Sequence, residues 1–118
     1  IALICIFTLQ ASAYLIFSVG QAMPAYIIAS FLFALTAWSI PAVMGAAIGD
    51  IFGPQAAPAL FGLITMIFGA GQALGPTIAG AVAEQAGSFS PAYKIAAAVA
   101  LAGAIIATRL PAKAVSRR

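Results

Sequence analysis

Few side chains in this sequence are able to do chemistry, and their positions limit what that chemistry is. Asp50 and Glu84 are the only acids, histidine is absent, and Cys5 is the one cysteine. Histidine-based catalysis and histidine metal sites are therefore excluded, and two distant acids with one thiol assemble no metal cluster, hydrolytic triad or phosphate-binding loop. No enzymatic activity, metal or cofactor is expected. What remains is uncharged: the amides of Gln10 and Gln72, the indole of Trp38, a few hydroxyls, and glycines spaced for close helix contact.

Gln72 belongs to a series, Gly62, Thr65, Gly69, Gln72, Pro76 and Ala79, whose three- and four-residue spacing defines one face of a helix. Gly71 and Gly75 add a GxxxG pair beside it. Apolar burial cannot drive helices together in lipid, so small residues that allow close backbone approach mark packing faces. Two readings stand for these glycines: fixed packing, or a surface on which two bundles slide. Gly75-Pro76 adds weight to the second, because proline removes a helical hydrogen bond and broken helices surround many transport sites.

An amide buried without partners costs roughly 2–7 kcal/mol. Gln72 therefore either bonds to a neighbouring helix or lines a polar cavity. Gln10 poses the same choice, and Tyr14, one turn away, favours the hydrogen bond. A further stripe, Ser30, Ala34, Ala37, Pro41 and Gly45, carries Trp38 at its edge, while Thr36 and Ser39 point elsewhere. Tryptophan is enriched at membrane interfaces, yet Trp38 falls near the middle of its apolar stretch, where packing and cavity lining are both open to it.

The elements that position these residues follow from composition. The 118 residues are 64% hydrophobic and only 6% charged, with a mean hydropathy of +1.15. A soluble domain carries about 25% charge, so a soluble fold, a disordered tail and a nucleic-acid partner are all excluded. The chain reads as an all-α membrane protein in contact with the lipid bilayer. A crossing needs ~20 apolar residues for a ~30 Å hydrocarbon core. Four antiparallel transmembrane helices fit, at about 1–19, 24–49, 55–84 and 91–110.

Breakers mark the joints. Gly20 to Pro24 closes the first span, and Pro41 is expected to kink the second. Asp50 to Pro54 forms a tight turn, Gly75-Pro76 interrupts the long third span, and Ser90 with Pro91 suits the N-cap and first turn of the fourth. These spans form one membrane domain over 1–110. Residues 111–118 are a short basic tail: Arg109, Lys113, Arg117 and Arg118 all lie in the last ten positions. Basic residues beside a span mark the cytoplasmic side, so the C-terminus is expected there. Cys5, inside an apolar run, reads as a small hydrophobe. The sequence begins with Ile inside such a run and looks like a fragment; without a basic segment before it, a cleavable signal peptide is disfavoured.

From Asp50 onward the order GDIFGPQAAPALFGLITMIFGAGQALGPTIAGAVAEQAGSFSPAYK resembles the closing helices of a major facilitator superfamily transporter. The resemblance rests on Asp50 at a span end, on a GxxxGPxxAG helix (Gly71, Gly75, Pro76, Ala79, Gly80) and on the turn Gly87-Ser88-Phe89. It covers the chain as the last four of twelve helices, part of a C-terminal six-helix bundle, and is nearest to bacterial drug-efflux and related permeases. It implies transport of a small molecule by alternating access in a prokaryotic inner membrane, with the N-terminal helices of the same transporter as partner.

The resemblance also implies roles. Ser30, Ala34, Trp38 and Pro41 move toward cavity lining. Gln72 joins them as a cavity candidate near the moving interface, and Gly71, Gly75, Pro76 and Gly80 form that interface between bundles. Asp50 resembles an acid that pairs with basic cytoplasmic loops, and the first and fourth spans are expected to be peripheral. Proton coupling, common in the family, finds no mid-membrane acid here. Two rivals remain. One is a complete four-helix multidrug transporter, which uses a membrane glutamate in its first helix where Ile1 to Val19 has no acid. The other is a non-transporting subunit whose small-residue faces bind a constant partner.

Overall fold

In the computed structural model, which describes residues 1–110, five α-helices follow one another: α1 Ala2–Val19, α2 Met23–Ala37, α3 Ser39–Phe52, α4 Ala57–Ala86 and α5 Ser90–Ala107. The expected basic tail, 111–118, lies outside the described residues. α2 and α3 together form one apolar stretch, Met23–Phe52, so four segments are long and apolar enough to cross a membrane. The protein is an all-α membrane protein.

Helix starts obey proline chemistry. Pro24, Pro58 and Pro91 each occupy a first turn, where the missing N–H has no intrahelical partner to lose. Helix ends obey glycine chemistry: Gly53 (φ 80°) and Gly87 (φ 67°) close α3 and α4 in backbone conformations that only glycine adopts without strain.

The second span, Met23–Phe52, is interrupted at one residue, Trp38, three residues before the expected kink at Pro41, and the Trp38 backbone stays in the right-handed helical region (φ −79°, ψ −18°). Proline withholds its bond from the carbonyl four residues earlier, here Ala37, and Ala37 is the last residue of α2. The long third span differs the other way, since α4 runs unbroken through Pro76 for 30 residues, about 45 Å at 1.5 Å per residue. The turn placed at Asp50–Pro54 falls instead at Gly53–Ala56, which leaves Asp50 in the last turn of α3.

Packing is uneven. α1 lies against α5 and α2 along most of its length and touches α3; α4 touches only α3 and α5. Two contacts fix α1 and α5 as antiparallel neighbours: the Ser90 hydroxyl donates to the Ser18 carbonyl at 2.6 Å, and a Cβ added at Gly103 would lie 3.4 Å from the Phe7 ring. Ser90 is therefore not the N-cap. It opens the helix, and its hydroxyl goes to α1 because Phe89 holds the cap position without a side-chain bond.

Apart from Leu3 and Ile48, the buried apolar core consists of alanines. Ala11, Ala13, Ala29, Ala97, Ala100 and Ala104 are buried, as close approach between helices in lipid demands. The expectation that the first span is peripheral meets a difference within this chain: α1 is the most enclosed helix, because its small face is covered on two sides.

Candidate functional site

Two places bring polar side chains together. The first is the α1/α2 contact. Thr36 is 1% exposed and Gln10 6%. The Thr36 hydroxyl donates to Gln10 Oε1, and Gln10 Nε2 donates to the Tyr14 hydroxyl at 3.2 Å. The same threonine oxygen lies 2.8 Å from the Leu32 carbonyl and 3.2 Å from that of Phe33. One proton thus faces three acceptors. Gln10 resolves as a hydrogen-bonded amide with Tyr14 as partner, as its spacing suggested, and interhelical bonds of this type average ~0.6 kcal/mol in membranes.

Helical spacing alone places Thr36 away from the Ser30 stripe and gives it no role. It does point away, toward α1. Its signal was available in the pairing with Ala29, seven residues earlier and therefore on the same face; Ala29 is also fully buried. The remaining hydroxyls of α1 bond back along their own helix, Thr8 to Ile4, Ser12 to Thr8 and Ser18 to Leu15. Such back-bonding hides a hydroxyl in lipid without a second helix.

The second place is the helix end opposite Asp50. Phe17, Tyr26, Phe89 and Tyr93 cluster there, with Phe17 and Tyr93 stacked 5.1 Å apart, around an open cleft of about 710 Å³. Ser18, Gln21, Ser88 and Ser90 supply its polar lining. Aromatic rings with one polar edge suit the membrane–water boundary.

The residues singled out from sequence lie elsewhere, mostly on open faces. Ser30, Ala34 and Trp38 are exposed, Trp38 by 85%, and Pro41 is half-buried just past the break. On α4, Gln72, Gly71, Gly75 and Pro76 are exposed and Gly80 half-buried. A Cβ added at Gly62, Gly69, Gly71, Gly75 or Gly80 would meet nothing within 4 Å. α4 reaches α3 through Phe61, whose ring faces Gly45, so its glycine face is not what holds it to this chain. α2 and α4 make no contact, and the two groups of candidates are not brought into one pocket. Asp50 is exposed in the last turn of α3.

Residues 1–108 match the model of a family described as "Uncharacterised MFS-type transporter YbfB". The chain belongs to this MFS-type transporter family. No curated protein and no solved structure matches it. Membership makes it a multi-pass membrane protein with a transport role, and among the described residues no group of three or more potential metal ligands occurs.

Proposed function

We propose that this chain forms part of a secondary transporter that moves a small molecule across a prokaryotic inner membrane by alternating access. The observation that carries the reading is the open glycine face of α4, beside a closed α1/α5 pair. A thirty-residue helix with small residues on its surface suits a second bundle that slides over it. Gly71, Gly75, Pro76 and Gly80 form that interface; Ser30, Ala34, Trp38, Pro41 and Gln72 face the substrate path. Export is the direction that the resemblance favours.

Asp50 sits on the side of the C-terminus, which the basic residues assign to the cytoplasm, and there it pairs with basic loops of the same transporter. These residues supply no proton-coupling group, because an acid at the bilayer centre costs about 2.5–3.5 kcal/mol and this chain places its acids at helix ends; coupling falls to other parts of the transporter, or the transporter is a facilitator that needs none.

Two-sided labelling tests the reading without knowledge of the substrate. Trp38→Cys in the full-length protein, with Cys5→Ser, should react with a membrane-impermeant maleimide both in right-side-out and in inverted vesicles. A cysteine reached from one side only would favour the constant-partner subunit and overturn alternating access.

A further inference from the structure

Only the second half of the interrupted second span reaches α4. α2 is fastened to α1 through the Thr36–Gln10 bond and the buried Ala29, whereas α3 touches α1 and also rests on α4, where a Cβ at Gly45 would lie 3.3 Å from Phe61. Trp38 stands between them, its backbone still right-handed helical (φ −79°, ψ −18°) and its side chain 85% exposed. Three local features weaken the helix here. Pro41 denies a bond to the Ala37 carbonyl, the Thr36 hydroxyl reaches back to Leu32, and the Ser39 hydroxyl reaches back to Leu35 at 2.8 Å. Hydroxyl back-bonds bend helices.

We propose that Gln10 and Thr36 are positioning residues for this break. The single Thr36 proton, given to Gln10, fastens the last turn of α2 to α1; given to Leu32, it lets that turn swing free of α1. The pair thereby sets the angle at which α3 leaves toward α4, and with it the direction of the Trp38 indole. Its part in transport rests on the alternating-access reading: α3 moves with α4 while α2 stays with α1, and the clasp limits the swing. The clasp itself does not depend on that reading.

Distances between spin labels in the full-length protein test it without substrate. Labels at Ile28→Cys and Ala46→Cys, both on exposed positions, report the α2/α3 angle; labels at Leu15→Cys and Leu101→Cys report the α1/α5 pair; Cys5→Ser removes the native thiol. Thr36→Val and Gln10→Leu should each at least double the width of the α2/α3 distribution and leave the α1/α5 distribution unchanged. Thr36→Ser, which keeps the hydroxyl, should retain the narrow α2/α3 distance. An unchanged α2/α3 distribution in Thr36→Val, or broadening of both pairs alike, overturns the positioning role. If two-sided labelling of Trp38→Cys fails while these distances respond as stated, the clasp stands and the transport reading falls.

Discussion

Ala97, Ala100 and Ala104 recur along one face of α5, and Gly71, Gly75 and Ala79 recur along one face of α4. The first group is buried, and the neighbouring Gly103 approaches the Phe7 ring of α1. The second group is half-buried at most, and its glycines face nothing within 4 Å. In the most apolar window of each helix, 22% of α5 is buried but 0% of α4. Small residues permit contact in lipid without compelling it. A small-residue stripe therefore says how closely a helix is able to approach another, and only a complementary surface decides whether it does so.

The largest effect expected from this contrast is on Gly75. A leucine there adds bulk where this chain has space, so the fold should tolerate it and a sliding bundle should not. Gly75→Leu in the full-length protein is expected to lower two-sided labelling of Trp38→Cys more than tenfold, with expression at the wild-type level. Equal loss of labelling and expression would make the position merely structural and remove the distinction between the two faces.

Ala13 gives the opposite case. It is fully buried, and added methylenes in a packed interior cost about 1–3 kcal/mol. Ala13→Leu should lower the Tm in detergent by several degrees, whereas Gly71→Leu should leave it within a degree. A smaller loss is expected from Ser90→Ala, which removes the hydroxyl that ties the α4/α5 turn to Ser18. One hydrogen bond contributes about 1 kcal/mol, so the Tm should fall by a few degrees, with Ser88→Ala as the neutral comparison.

The same contrast explains what was legible in the sequence. Hydropathy and proline-glycine joints place four spans to within a few residues, because the bilayer fixes helix length and the backbone rules at turns are local. The break at Trp38 was readable to within three residues, since proline acts on the carbonyl four positions before it. Pro41 and Pro76 look alike in sequence, yet α4 continues through Pro76. Hydroxyl back-bonds from Thr36 and Ser39 lie within the two turns before the first proline, while the nearest such bond before Pro76 is from Thr65, three turns away. The roles of Thr36 and Ser90 are not legible in the sequence for a different reason: both bond across to α1, and helical periodicity gives the face of a residue without naming the helix opposite.

Gly69 offers the smallest effect and the finest test of the open face. Alanine is favoured over glycine in a helix interior by about 0.5–1 kcal/mol, and a Cβ at Gly69 meets nothing in this chain. If α4 faces only lipid in the assembled protein, Gly69→Ala should raise the Tm of the full-length transporter by a degree or two. If a second bundle lies against it, the added methyl meets that bundle's backbone, and the gain should vanish or reverse. Gly103→Ala calibrates the result, because its Cβ would sit 3.4 Å from the Phe7 ring, an ordinary contact distance, where the propensity gain and a slight shift of the ring oppose each other. A Gly69→Ala gain that exceeds the Gly103→Ala change would show that α4 has no close partner, and the proposed sliding interface would have to move to another face.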